Sequence, residues 1–264
     1  MIVSLFLASA LATVAPSERM LVAGGVKLRV KCSGERMAGA PLVLLEAGAG
    51  NGLKTWDKVF DPISEFARVC AYDRPGLGTS EKPPRPQTGS EVTDALHELL
   101  QAAGERPPYV MVGHSWGGAI VRLFATRWPA EVTGMVLIDA SHEDQLRRFA
   151  AVPGAPSPRP SPASPPPPSP EKVDLPGMSV ELAKAPWRAD IPLVVLTKTD
   201  TTGSEPSYEG ARAKVWLELQ AELATRSRDS EHIVATNAGH YIQRDEPALV
   251  IEAVRRVVAK ATKR

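Results

Sequence analysis

Short apolar runs rich in β-branched residues alternate along this chain with longer stretches of helical periodicity. These stretches predict helices over 55–67, 91–103, 116–127, 208–226 and 247–260. The runs within 42–46, 109–112 and 193–197 are almost entirely apolar, which is typical of strands that are covered on both faces. Strand–helix alternation indicates parallel strands joined by right-handed crossovers, whereas the opening pair around Gly24 and Gly25 favours an antiparallel hairpin. The sequence therefore predicts an α/β fold with a mostly parallel, eight-stranded sheet and helices on both faces.

The bulk composition fits one soluble domain and gives no global attraction to a charged partner. The chain has 264 residues, of which 43% are apolar, and its 31 basic residues nearly balance its 30 acidic ones. This apolar content suffices for one large core. A net charge near zero would not steer the protein to nucleic acid or to an anionic membrane. We expect no nucleic-acid partner and no stable membrane insertion, and the oligomeric state stays open.

A proline-rich stretch interrupts the strand–helix pattern. Ten of the eighteen residues from 153 to 170 are proline, a composition that excludes helix and central strand and favours an extended or disordered segment. The alternation resumes in the same style at Ile191. We therefore predict a single domain over 16–264 with an insertion at about 141–190, rather than a domain boundary.

The N-terminal segment leaves the cellular compartment open. Residues 1–15 are apolar and rich in small side chains, as in a cleavable signal peptide, but no basic residue precedes the apolar run. The protein is thus expected to be secreted or periplasmic if this segment is a signal peptide, and otherwise to be cytoplasmic.

Cys32 and Cys70 are interpreted as buried thiols, and a bridge between them requires both export and adjacent strands.

The residues Gly113-His114-Ser115-Trp116-Gly117 form the sharpest chemical signal. They come directly after an apolar strand and directly before a helical stretch. Small neighbours allow a serine to occupy a tight, strained strand-to-helix turn that lifts its hydroxyl above the sheet edge. The pattern predicts that Ser115 is a nucleophile.

Two further motifs extend this signal into a family resemblance. The run YDRPGLGTS at 72–80 and the run Ala-Gly-His at 238–240 occur in the right order around the serine motif. With these motifs the chain resembles the α/β-hydrolase superfamily, in its serine esterase and lipase branch. The resemblance implies an α/β-hydrolase fold, hydrolysis of small-molecule carboxylic esters through an acyl-enzyme without any cofactor, and a short cap formed by the insertion.

His240 is the predicted general base, because a serine hydroxyl needs a base within hydrogen-bond reach. It lies on a glycine-flanked loop after the final strand, from which it can reach back over the sheet end. Of the other four histidines, His97 and His232 are expected to pack, His114 points away from the serine, and His142 could lie near the site.

Two aspartates compete for the role of the acid that orients the imidazole. Asp139 follows the strand at 134–138, and Asp200 follows the strand at 193–197. The superfamily uses either strand end. The stretch at 139–144 resembles a subgroup of esterases that shares the run Asp-Ala-Ser-His-Glu-Asp, and on this resemblance we favour Asp139.

The oxyanion hole needs two backbone N–H groups. The resemblance implies Trp116, the residue after the nucleophile, as one donor. The second comes from the loop after the strand at 42–46, where the family usually has His-Gly and this chain has Glu46-Ala47-Gly48-Ala49-Gly50. Ala49 is our choice, with Gly50 as the alternative.

Other activities are weighed against this interpretation. The glycine-rich loop at 48–52 lacks the spacing of a nucleotide site, and no histidine, cysteine and acidic cluster has metal-ligand spacing, so neither metal nor nucleotide cofactor is expected. Haloalkane dehalogenases and epoxide hydrolases of this family use aspartate where Ser115 stands. Lactonases, amidases, carbon–carbon hydrolases and cofactor-free haloperoxidases keep the serine and stay open, as does a ligand receptor with a vestigial triad.

Overall fold

The computed structural model describes residues 17–155, 170–184, 187, 189–199 and 207–263. Its eight strands form one sheet in the spatial order β1-β2-β4-β3-β5-β6-β7-β8. The first two strands form a hairpin, β2 runs antiparallel to β4, and all the remaining neighbours are parallel. The strands are β1 (Ser17–Ala23), β2 (Val26–Ser33), β3 (Leu42–Glu46), β4 (Val69–Tyr72), β5 (Tyr109–His114), β6 (Val132–Ile138), β7 (Leu193–Lys198) and β8 (Ser230–Ala235).

Helices cover both faces of this sheet, and the α/β-hydrolase architecture is confirmed. The helices are α1 (Phe60–Ser64), α2 (Gly89–Ala102), α3 (Trp116–Arg127), α4 (Gln145–Ala150), α5 (Leu175–Lys184), α6 (Tyr208–Ala224), α7 (Ile242–Asp245) and α8 (Pro247–Ala261). On one face Leu96 and Phe124 belong to a fully buried cluster, and on the other Ile63 and Val254 do. The third, fifth and sixth strands are therefore buried on both sides, which explains their continuous apolar runs.

Local signals in the sequence define where several helices begin. Thr88 and Glu91 form a reciprocal capping box at the start of α2, and the Ser207 side chain accepts from Gly210 at the start of α6. Such caps satisfy backbone donors that have no partner inside the helix. Pro247 occupies the first turn of α8, where its missing N–H costs nothing.

One predicted helix, over 55–67, is wrong in extent. The structure instead has a 3-10 turn at Leu53–Trp56 followed by the short helix α1. The cause is Pro62, which lacks the N–H that a continuous helix would need at this position. Starting a new helix at Phe60 places this proline in the first turn, where it is tolerated.

The segment between β6 and β7 contributes the two helices α4 and α5 within the insertion predicted at 141–190. Residues 156–169, which hold most of the proline-rich stretch, lie outside the described residues, as do residues 1–15 of the predicted signal peptide. Among the described residues, the helices are too short or too polar to cross a membrane.

Cys32 and Cys70 face each other across the antiparallel pair β2–β4 and form a disulfide. The structure thus has a disulfide where the sequence was interpreted as containing two free thiols. The Glu105 carboxylate lies within 4.8 Å of both sulfurs, but bridged sulfurs are not thiolates and so do not offer the usual metal ligands.

Candidate active site

Ser115 occupies the tight turn between β5 and α3 in a strained backbone conformation. Its φ is 53° and its ψ is −122°, a region that residues with a side chain rarely adopt. The turn needs glycine on both sides: a Cβ atom on Gly113 would lie 2.7 Å from the Gly117 carbonyl oxygen, and one on Gly117 would lie 2.2 Å from the Glu46 carbonyl oxygen. The strand, the turn and the loop after β3 therefore pack at backbone contact distance.

The structure brings together the serine, the histidine and the favoured aspartate. His240 Nε2 is 2.9 Å from the Ser115 oxygen, and His240 Nδ1 is 2.6 Å from Asp139 Oδ2. Asp139 is completely buried, whereas the His240 side chain is 39% exposed, so the imidazole is open to solvent and to a ligand. The competing candidate, Asp200, lies outside the described residues.

The backbone around the elbow fixes the distance between Ser115 and Asp139. The Ser115 N–H donates to the carbonyl of Ile138, and the Ser115 carbonyl accepts from Ser141. These two partners flank the aspartate, whose φ of 43° turns its side chain out of the strand direction. Ser115 and Asp139 are thus held near each other by hydrogen bonds between the ends of the adjacent parallel strands β5 and β6.

Two donors hold the other carboxylate oxygen of Asp139. Its Oδ1 accepts from the indole N–H of Trp216 at 2.7 Å and from the Lys198 backbone N–H at 3.2 Å. Trp216 lies 77 residues further along the chain, on α6. No local signal identifies such a contact, because it depends on how α6 packs against β7.

The histidine inside the elbow, His114, supports the loop that carries His240. Its Nε2–H donates to the His240 carbonyl at 2.8 Å, since a carbonyl can only accept. Burial and the neighbouring His240 lower the pKa of His114 to about 3, so its ring is neutral at physiological pH. This contact with the His240 carbonyl agrees with the expectation that the His114 side chain points away from the Ser115 hydroxyl.

The remaining three histidines have other partners. His97 stacks on Trp128 and contacts the Glu131 carboxylate. His232 contacts the Thr197 hydroxyl. His142 is buried, and its Nδ1 accepts from the Asp144 backbone N–H two residues further on; burial lowers its pKa to about 4. Within the part of the chain that the structure describes, none of the three hydrogen-bonds to Ser115.

The loop at 47–50 lies against the nucleophile, where an oxyanion hole belongs. A Cβ atom on Gly48 would lie 3.0 Å from Ser115 Cβ. The Gly50 N–H donates to the Glu171 carboxylate and is thereby occupied. Neither the Ala49 N–H nor the Trp116 N–H has an acceptor among the described residues. Of the two loop residues considered from sequence, Ala49 is thus the one with an available donor.

A buried guanidinium lies between two buried carboxylates beside this loop. Arg74 is 2.5 Å from Glu46 and 2.8 Å from Glu171. Burial by itself would lower the pKa of Arg74, but the charges of Glu171 and Glu46 raise it above its ordinary value, so the arginine stays charged. Burial raises the pKa of Glu46, and Arg74 opposes this rise.

A pocket of about 210 Å³, open to solvent, borders His240 and Asp139. Its wall combines two aromatic rings with three charged side chains, namely Phe149, Trp216, Lys198, Glu209 and Arg212. The Arg212 guanidinium lies over the Phe149 ring at 4.7 Å and is 3.5 Å from Glu209. This volume lies below the usual range for drug-sized ligands, so the pocket suits a small organic group.

Comparison with known proteins supports the architecture rather than one reaction. A family profile described as alpha/beta hydrolase fold matches residues 40–158. YqjL of Bacillus subtilis, described as uncharacterised, is 28% identical over 220 residues, which are 80% of this chain and 81% of that protein. A Pseudomonas putida protein named 2-hydroxy-6-oxo-2,4-heptadienoate hydrolase is 34% identical over 125 residues, 46% of this chain and 44% of that protein.

Solved structures share the fold across nearly the whole chain. An esterase from Thermogutta terrifontis has a TM-score of 0.65 at 20% identity and covers 94% of this chain and all of its own. Epoxide hydrolases and a haloalkane dehalogenase are similar to a comparable degree, with TM-scores of 0.63 to 0.68. The chain spans only 16–18% of four further curated relatives. The sheet order, the profile match over residues 40–158 and these neighbours agree: the chain has the α/β-hydrolase fold.

Proposed function

We propose that the protein is a serine hydrolase that cleaves carboxylic ester bonds of small to medium substrates. The observation that carries this proposal is the continuous hydrogen-bond chain from the Ser115 oxygen to His240 and on to the buried carboxylate of Asp139. A hydroxyl within reach of a base that is itself oriented by a third group is the arrangement that nucleophilic catalysis requires.

The geometry supports the following reaction. The Ser115 oxygen attacks the ester carbonyl carbon while His240 Nε2 takes its proton, and Asp139 stabilises the imidazolium that forms. The carbonyl oxygen becomes an oxyanion, which accepts from the backbone N–H groups of Ala49 and Trp116. His240 then protonates the departing alcohol and leaves an acyl group on Ser115. Attack of water, assisted again by His240, releases the carboxylic acid and restores the serine.

Two features support small or medium substrates. The pocket beside His240 has a volume of about 210 Å³, and its charged side chains are poorly suited to a long alkyl chain, since burying them against hydrocarbon without partners is costly. We expect activity on chromogenic esters to fall as the acyl chain lengthens. A strong preference for long-chain triglyceride would contradict this part of the proposal.

Carbon–carbon bond hydrolysis is the second candidate. It is favoured by the likeness to the Pseudomonas putida relative, which is named 2-hydroxy-6-oxo-2,4-heptadienoate hydrolase. That likeness covers less than half of either chain, and the Ser–His–Asp geometry serves both reactions. A dienoate substrate in the same panel distinguishes the two.

An oxidising compartment is part of the proposal. The support is the Cys32–Cys70 disulfide, since cytosolic thiols are kept reduced. We therefore propose that the protein is secreted or periplasmic.

The decisive experiment combines a covalent probe with one variant. A fluorophosphonate should label the wild-type protein at Ser115, as found by peptide mass mapping, and a panel of ester, lactone, amide and dienoate substrates should show ester turnover. Ser115→Ala should remove labelling and lower turnover by at least ~10³-fold, with its melting temperature as the check on folding. Unchanged turnover in this variant, or an unlabelled wild type, would support the receptor alternative or another site.

A further inference from the structure

The guanidinium of Arg74 binds two consecutive carbonyl groups of the loop beside the nucleophile. Its Nη1 donates to the Ala47 carbonyl and its Nη2 to the Gly48 carbonyl, both at 2.6 Å, while Nη1 also reaches Glu46 at 2.5 Å. Arg74 is 1% exposed, so these contacts are made away from water, where charge-assisted hydrogen bonds are strongest.

The carbonyl that Arg74 binds belongs to the peptide unit of the proposed oxyanion donor. The Gly48 carbonyl and the Ala49 N–H share one planar, trans peptide group and point in opposite directions. Holding this carbonyl against the guanidinium therefore directs the Ala49 N–H away from Arg74. A cation on the oxygen also polarises the peptide unit, which makes its N–H a stronger donor.

Glu171 holds the other side of Ala49. One of its carboxylate oxygens accepts from the Gly50 N–H, and the other accepts from Arg74 Nε at 2.8 Å. The donor peptide is thus fixed between an arginine that follows β4 and a glutamate that lies 121 residues further along the chain than Gly50, in the segment between β6 and β7.

The backbone around Glu171 is docked independently of its side chain. Gln87 donates to the Lys172 carbonyl and accepts from the Asp174 N–H. Gly76 leaves room for the same segment, because a Cβ atom there would lie 2.1 Å from the Pro170 carbonyl oxygen. Removing the charge of Glu171 should therefore leave this segment in place.

We infer that Arg74 and Glu171 are positioning residues that hold the Ala49 N–H in the geometry of the oxyanion hole, so that turnover depends on a residue of the insertion. This inference rests on the proposed function. It predicts a loss in the chemical step rather than in substrate binding, because the oxyanion exists only in the transition state and the tetrahedral intermediate.

Glu171→Gln is the sharpest test, since both carboxylate oxygens face donors and an amide has only one acceptor. Its NH₂ group must oppose either Arg74 Nε–H or the Gly50 N–H, which frees one side of the loop. We expect kcat to fall roughly 10–100-fold, short of the ~10²–10³ for losing a donor outright, with KM within about threefold. The affinity for a trifluoromethyl ketone, which forms an oxyanion on the serine, should fall by the same factor as kcat/KM.

Glu143→Gln is the matched control. Glu143 is an equally buried carboxylate bound by the two guanidiniums of Arg122 and Arg226, and it does not contact the loop at 47–50. This variant should lose stability without a selective loss of ketone affinity. The rate at which a fluorophosphonate labels Ser115 should be measured for each variant alongside its ester hydrolysis.

The outcomes separate the two proposals. Labelling and turnover that depend on Ser115, combined with unchanged kcat and ketone affinity in Glu171→Gln, overturn this inference and leave the proposed function standing. Equal losses in Glu171→Gln and Glu143→Gln also overturn it, because a general loss of rigidity would then explain both. A wild type without labelling or turnover overturns both proposals.

Discussion

The Asp139→Asn substitution tests the assignment of Asp139 as the acid that orients His240. The surrounding hydrogen bonds determine which way the asparagine amide can point. Oδ1 faces two donors, the Trp216 indole N–H and the Lys198 backbone N–H, while Oδ2 faces His240 Nδ1. The asparagine oxygen must occupy the Oδ1 position, and its NH₂ group then donates to Nδ1. The imidazole proton is thereby forced onto Nε2, where it faces the Ser115 oxygen and cannot accept the serine proton.

The structure also sets the magnitude of this effect. Turning the amide over would place its NH₂ group against both donors, and a buried unsatisfied donor costs ~1–3 kcal/mol. The reversed amide is therefore disfavoured by ~2–6 kcal/mol, a factor of roughly 30 to 10⁴ in population. We expect kcat/KM of Asp139→Asn to fall by ~10²–10⁴-fold with an unchanged fold, in line with the wrong-tautomer effect in serine proteases.

The assay compares initial rates on 4-nitrophenyl acetate for the wild type, Asp139→Asn and Asp200→Asn, with melting temperatures as the check on folding. Adding Trp216→Phe to Asp139→Asn removes one of the two donors that oppose the reversed amide, and should restore part of the lost rate. Retention of more than a tenth of wild-type kcat/KM by Asp139→Asn, together with a large loss in Asp200→Asn, would refute the reasoning.

Two further predictions concern stability. Replacing both Cys32 and Cys70 by alanine should lower the free energy of unfolding by ~2–4 kcal/mol, because their bridge closes a loop with a sequence separation of 38; an unchanged urea midpoint would contradict this. Burial lowers the pKa of His114 from 6.5 to about 3, so between these values the unfolded chain binds the extra proton. The free energy of unfolding should then fall as the pH drops below 6.5, by about 2 kcal/mol at pH 5 from this histidine. Urea unfolding at pH 7.5 and 5 should show a smaller difference for His114→Gln, and an equal difference would count against the buried neutral ring.

Elements with strong local signals could be predicted from the sequence. Helix α3 begins at Trp116 and ends at Arg127 as predicted, because an uninterrupted apolar strand and a glycine-flanked serine leave one place for the turn. The position of His240 also followed from topology, since the loop after the last parallel strand opens at the same sheet edge as the elbow. The error at 55–67 was local as well: the residue pattern predicted one continuous helix, whereas the missing N–H of Pro62 makes a new, shorter helix begin at Phe60.

The contacts that tune the candidate site depend on tertiary packing. The sequence by itself determined the sheet, the elbow and the order of the motifs, because periodicity and turn chemistry act over a few neighbouring residues. It could not connect Trp216 to Asp139 or Glu171 to Gly50, which lie 77 and 121 residues apart. Only the packing of α6 against the sheet, and the docking of the insertion beside Gly76, brings these donors and acceptors within reach of one another.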